Sequence, residues 1–199
     1  MSGMVQRWLG RERGALVPAQ RESGESADVP LEGIRRRRAR DVAACARLLR
    51  LVYDEGQYPT YWPRAPRAWL SGDDVVAAWV AERQGEILGH VTIRQVGLDG
   101  GVSGFRWREI TGREPTELLG VSQLFVRSRV RGRGIGSALL DVAVAEIRAR
   151  GHVPVLDVVS TSTDALRLYQ GRGWRLLARD AWGRKPDELW IYSYAAPRA

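Results

Sequence analysis

The sequence predicts an α/β protein built on one mixed sheet, and two segments carry that expectation. VAERQGEILGHV reads as two alternating strands joined by a tight turn. LLGVSQLFV runs through a glycine-rich junction into an amphipathic helix and then the buried run VPVLDVV, which makes a β-α-β unit. At 199 residues and 44% apolar content, the chain is long enough for one core and too apolar to be wholly disordered. No stretch approaches the ~18 consecutive apolar residues of a membrane helix. The basic start, residues 1–13, meets no apolar run of the secretory kind, so a cytoplasmic protein with no membrane partner is expected. Cys45 is the only cysteine, which excludes an intrachain disulfide and a cysteine-based zinc site; with two histidines as well, no metal is expected.

Residues 1–33 are rich in Gly, Ser, Arg and Glu, lack a sustained period and hold Pro18 and Pro30, so they read as a flexible extension before a domain spanning 34–196. Asp41 precedes apolar residues at three- and four-residue steps, Val42, Ala43, Ala46, Leu49 and Val52, as expected of a capped helix. An aromatic, proline-bearing stretch follows over 53–70. Strands are expected at 77–82 and 86–96, joined at Gln84 and Gly85, then a short helix around Trp107 and a strand over 118–126. Ile135, Leu139, Val142, Ala143 and Ile147 set a helix over 135–150, which Gly151 ends. A buried strand at 153–159, a helix at 164–170 and strands at 174–178 and 188–194 complete the order β-α-(α)-β-β-β-α-β-α-β-β.

The net charge is +8, and all but one of the 31 basic residues are arginine. The first forty residues hold nine arginines against five acids, half of that excess. The rest includes Arg127, Arg129, Arg131 and Arg133 around RGRGIGSALL, where Gly132, Gly134 and Gly136 join a strand to a helix. Glycines let the backbone approach a ligand, and the free amides of a first helical turn favour an anion, so this is a pyrophosphate-sized site. A Walker A loop would need Lys after the last glycine, where Ser137 stands. A dinucleotide fingerprint would need other glycine spacing and more chain after the loop.

The loop meets the pattern Q/R-x-x-G-x-G/A from Arg131 to Gly136, directly after SQLFV. With the hairpin VAERQGEILGHV and the segment LDVVSTSTDALRLYQGRGW, the chain resembles the GNAT superfamily of acetyl-CoA-dependent N-acetyltransferases. The resemblance implies a mostly antiparallel sheet splayed between its fourth and fifth strands, with acetyl-CoA as the acetyl donor. It implies CoA contacts from Arg131, Gly132, Arg133, Gly134, Ile135, Gly136 and Ser137 around the pyrophosphate, and from Leu124, Phe125 and Val126 along the pantetheine arm. Ser162 stands where many members carry Asn. Tyr169, through the element A-x-x-L-Y, falls on the general acid that serves the departing thiolate.

The family's usual base position is Gly120, so the motif leaves the base open. Glu117 is carried forward as the base, beside Glu114, Asp157 and His90. The acceptor wall implied by analogy is Asp54, Glu55, Tyr58, Tyr61 and Trp62, the acids drawing a cationic amine and the rings covering it; core-plugging aromatics are the competing reading. The expected activity is acetyl transfer to a primary amine of a small molecule or peptide by direct attack in a ternary complex, in a monomer or homodimer. The rival is a non-catalytic nucleic-acid-binding protein using its arginine-rich segments. The scattered basic residues and the β-α-β setting of the glycines favour the enzyme.

Overall fold

In the computed structural model, residues 33–56, 58–97, 102–181 and 189–198 are described. The extension expected over 1–33 lies outside them except for Gly33, which opens the first strand, and the final strand's expected first residue, 188, lies outside as well. Seven strands form one sheet: β1 (Gly33–Arg36), β2 (Val75–Arg83), β3 (Glu86–Gln95), β4 (Leu118–Val126), β5 (Val153–Val159), β6 (Arg175–Ala181) and β7 (Trp190–Ala195). Five helices accompany them: α1 (Val42–Gly56), α2 (Pro66–Leu70), α3 (Gly104–Thr111), α4 (Ile135–Ala149) and α5 (Thr163–Gly171). The spatial order is β1-β2-β3-β4-β5-β7-β6, antiparallel at every neighbour except the parallel pair β4 and β5.

Side-chain alternation divides the core between the two faces of the sheet. Trp79, Ala81, Leu88 and Val126 point toward α4, whose Ile135, Leu139, Leu140, Ala143 and Ile147 form its buried stripe. The alternate residues Val80, Ile87 and Phe125 meet Cys45, Leu48, Leu49 and Val52 of α1. On this second face, farther along the sheet, Trp107 of α3 packs with Val155, Ile191 and Ala195. Helix α4 sits so close to β3 that a Cβ at Gly89 would stand 2.8 Å from Leu139 Cδ1, so a side chain there would force Leu139 to move. The hairpin turns at Gln84 and Gly85, with φ of 50° and 77°, the double left-handed geometry of a tight β-turn.

The start of α1 is tied to the sheet by charge. Asp41 closes the 3-10 turn Ala39–Asp41 that precedes the helix, and its carboxylate accepts from the Arg38 N–H at 2.7 Å and from Arg35 Nη1 at 2.7 Å. Arg35 also bonds Glu82 of β2. The Arg35 hydrogen bond holds the Asp41 carboxyl down at about 2, against the opposing effect of burial. Because its folded value lies below its unfolded one, Asp41 stabilises the fold above about pH 4, and that contribution is lost as pH falls toward 2. Asp41→Ala should therefore cost about 1–2 kcal/mol at pH 7 and flatten the acid limb between about pH 4 and 2, as urea unfolding across pH would read.

Candidate active site

Strands β4 and β5 pair over only three positions, Leu118 with Val153, Leu119 with Pro154 and Gly120 with Val155. Beyond Gly120 they part. Arg127 N–H donates to Leu88 across the other side of β4, and Phe125 stands opposite His90. Because N–H groups alternate sides along a strand, those of Leu124 and Val126 turn toward the opening between β4 and β5. Strand amides facing such an opening need a partner, and an extended amide-bearing molecule supplies one.

A cavity of about 950 Å³ runs along the β4 side of this opening. Leu124, Phe125 and Val126 form one wall, and Arg131, Gly132, Gly134, Ile135, Gly136 and Ser137 form a second. Gly132 and Gly134 adopt φ of 76° and 79°, so the loop makes two left-handed turns that other residues would strain. Gly134 begins α4 without a side-chain cap, which leaves the first-turn N–H groups available at the wall. A second helix start converges on the same space: Thr161, Ser162, Thr163 and Asp164 at the head of α5 line it, and Ser162 also lacks a side-chain cap bond. Two helix N-termini, a glycine loop and a strand edge together suit a long anionic ligand with amide groups.

Arg131 bridges these walls. Its Nε donates to the Val126 carbonyl at 3.2 Å, and Nη1 meets Asp164 at 3.4 Å. The other loop arginines behave differently from the sequence expectation. Arg127 and Arg129 both pair with Glu86 at the hairpin, which holds them at that carboxylate, and Arg133 is not on the cavity wall.

Tyr169 lies behind the wall. Leu168 reaches the cavity, whereas the Tyr169 ring is packed against Trp174 and Tyr194 at 5.7 and 6.3 Å and is 6% exposed. Burial raises its pKa above the ordinary phenol value, and the negative charge of Asp157 adds to the shift, so the hydroxyl keeps its proton. Asp157 lies two residues beyond the last β4–β5 pair, accepts the Val102 N–H at 2.8 Å and stands opposite Ser193 in β7. The buried Ser193 hydroxyl has no hydrogen-bond partner among the described residues.

The other base candidates lie away from this opening or are engaged elsewhere. Glu117 sits at the opposite end of β4, seven residues and roughly 20 Å of strand from Leu124, paired with Arg113. Glu114 is exposed, caps the neighbouring turn and pairs with Arg108. His90 is fully buried, with both ring nitrogens engaged by Gln123 and Arg37. Of the five acceptor-wall residues, Tyr58 alone lines the cavity. Asp54 pairs with Arg50, Glu55 is exposed, Tyr61 is 68% exposed, and Trp62 lies tilted against Tyr53 on the α1 core. Sequence reading missed Val52, Gly56, Thr60, Thr161, Thr163, Asp164, Ala165, Leu168 and Leu189 on the wall. The run STST before α5 was the available signal, since free hydroxyl groups at a helix start repeat the chemistry of the glycine loop.

The pattern of the Acetyltransferase (GNAT) family matches residues 43–174, about two thirds of the chain. The chain belongs to this family of acetyl-CoA-dependent N-acetyltransferases, and acetyl-CoA is its acetyl donor. Its fold is similar to that of an N-acetyltransferase from Staphylococcus aureus Mu50, with TM-score 0.61, 22% identity, and coverage of 82% of this chain and 96% of that one. It is also similar to a ribosomal-protein-alanine N-acetyltransferase from Brucella melitensis, with TM-score 0.60, 20% identity, and coverage of 82% and 98%. Arabidopsis thaliana NAA60 in complex with acetyl-CoA gives TM-score 0.61 at 20% identity, covering 82% and 96%. No curated protein sequence matches the chain. Among the described residues there is no cluster of three or more metal-ligating side chains, and no helix is long and apolar enough to cross a membrane.

Burial, with the charge of Arg37 second, pushes His90 down to about 3, well below the unfolded value near 6.5. The unfolded chain therefore binds a proton that the native one refuses, and stability falls as pH drops from about 6.5 toward 3. Titration by NMR should find the His90 imidazole neutral throughout that window. His90→Asn should remove up to about 1.4 kcal/mol per pH unit from the slope of unfolding free energy.

Proposed function

We propose that residues 34–196 form the catalytic domain and transfer acetyl to a primary amine by direct attack in a ternary complex. The observation that carries this reading is the parting of β4 from β5 beside two uncapped helix starts, which opens one continuous cavity from the glycine loop to Leu124. In this reading the N–H groups of Gly134 to Ser137 and the Arg131 guanidinium hold the phosphates, and Ser162 adds a short donor. The strand groups of Leu124 and Val126 hold the pantetheine amides, with Phe125 closing the wall. Arg133, set off the wall, contributes long-range charge. The thioester supplies an activated acyl carbon and a good leaving group.

Direct attack fits the absence of a suitable covalent carrier. Cys45, the only thiol in the chain, is buried under α1 and raised to about 11 by that burial. The Leu124 N–H stabilises negative charge as it develops on the acyl oxygen. Tyr169 acts by donating a hydrogen bond to the departing sulfur. Full proton transfer from a phenol above 10 to a thiolate near 8.5 is uphill, so the final proton comes from solvent.

Asp157 is the base in this reading. Attack makes the amine nitrogen strongly acidic, which lets a carboxylate take its proton, directly or through water. Its negative charge at the parted strands also draws a cationic amine, which loses one proton to solvent to become the neutral nucleophile before attack, and Tyr58 and Thr60 border the acceptor side. A screen of peptides, aminoglycosides, polyamines and amino acids for CoA release identifies the acceptor. Acetyl-CoA at a hundred times its Kd should add about 2.7 kcal/mol and raise Tm by roughly 5–10 °C; an unchanged Tm with no heat of binding rejects the reading. With the acceptor in hand, Tyr169→Phe and Asp157→Asn should each lower kcat on the order of 10²-fold, while Glu117→Gln should leave it within about twofold. An unchanged kcat in either of the first two removes that residue from the mechanism.

A further inference from the structure

A β-bulge takes backbone groups out of the ladder, and something else must satisfy them. In β4 the bulge falls at Gln123. His90 pairs with Phe125 and Thr92 with Ser122, leaving the extra residue between them, and Gln123 has φ of 50°, which is uncommon outside glycine. Two side chains of β3 take the carbonyls at the bulge. Thr92 Oγ1 donates to Ser122 O at 3.0 Å, and His90 Nδ1 donates to Gln123 O at 3.1 Å. Residues 90 and 92 share a face of the strand, so they act side by side on successive carbonyls.

The imidazole is held from behind. Because the Gln123 carbonyl only accepts, the proton is on Nδ1 and Nε2 is an acceptor, which Arg37 Nη1 fills at 2.9 Å. Arg37 Nη1 also donates to Leu70 O at 2.7 Å, at the end of α2. Gln123 Nε2 donates to Trp69 O at 2.7 Å. The ring lies stacked on Phe125 with centroids 4.9 Å apart. His90 and Thr92 are 0% exposed and Gln123 is 2% exposed, so any of these groups left unpaired by a straightened strand would be stranded away from water.

The bulge decides which amides meet the opening. Removing the extra residue from the register would shift β4 by one position, exchange the directions of the Leu124 and Phe125 N–H groups, and move Phe125 off the α1 core. We propose that His90 and Thr92, with Arg37 behind the imidazole, are positioning residues for acyl transfer: they hold the kink at Gln123 and thereby aim the Leu124 N–H at the acyl oxygen. The proposal rests on the acetyl-transfer reading above and adds to it a set of residues that never touch the substrate.

The probe is [1-13C]acetyl-CoA, whose bound carbonyl resonance moves downfield when it accepts a hydrogen bond. The wild-type protein, His90→Leu, Thr92→Val and His90→Asn are compared by that resonance, by calorimetric Kd for acetyl-CoA and for CoA, and by Tm. In His90→Leu and Thr92→Val the downfield displacement should fall to less than about half, and affinity for acetyl-CoA relative to CoA should drop roughly three- to tenfold. His90→Asn, whose side-chain amide stands near Nδ1, should recover most of both. Thr92→Val keeps the side-chain shape and carries the test if His90→Leu does not fold. Variants that bind with the wild-type resonance and unchanged relative affinity, losing only Tm, overturn the proposal. A wild-type protein that binds no acetyl-CoA overturns the acetyl-transfer reading itself.

Discussion

Three residue pairs join β4 to β5, and after Gly120 the strands separate. The arrangement of the site follows from that separation. Strand β5 continues by pairing with β7, so its later residues are committed on one side, while β4 stays paired to β3 on the other. Each element at the cavity then contributes a free end: α4 and α5 their uncapped starts, α1 its last turn at Val52 and Gly56, and β4 its unpaired edge. A ligand that bridges them has to be long, anionic at one end and peptide-like in the middle, and the cofactor of the family has that chemistry.

The basic excess changes meaning once its partners are known. Arg35, Arg36, Arg94, Arg106, Arg127, Arg129 and Arg131 all meet carboxylates. Several of these pairs join distant parts of the chain: Arg36 to Glu146 links β1 with α4, and Arg106 to Asp180 links α3 with β6. Exposed pairs contribute little stability singly, but they tie up the cations that a polyanion would need. Arg131 is different because it lines the cavity and its guanidinium reaches both β4 and α5. The net charge of the chain therefore says less about its ligand than the position of this one side chain.

Local patterns were legible because local physics sets them. Alternation gave the hairpin, a glycine-punctuated junction gave the β-α-β unit, and the family resemblance then named Leu124, Phe125, Val126 and Arg131 to Ser137, all of which line the cavity except Arg133. Placements that depend on long-range direction are not set by local pattern. Glu117 is close to Leu124 in sequence, yet an extended strand converts those few residues into a separation too great for proton transfer. Asp54 and Glu55 stand between the cavity residues Val52 and Gly56 but do not line the cavity, since successive residues on a helix point about 100° apart. Nothing local distinguishes Asp157 from other strand acids; its proposed role rests on β4 leaving β5 just before it. His90 likewise carries an imidazole whose two nitrogens are both engaged by distant residues, Arg37 and Gln123.

The claim at the centre of this account is that the edge of β4 exposed by the parting receives acetyl-CoA. Amide hydrogen exchange at Leu124 and Val126, followed by NMR with and without saturating acetyl-CoA, tests it most directly. Exchange at both amides should slow at least about tenfold on binding, together with that of Gly134 to Ser137, while Phe125, already turned to β3, changes little. Saturation by acetyl-CoA with Leu124 and Val126 exchanging at their free rates would contradict it.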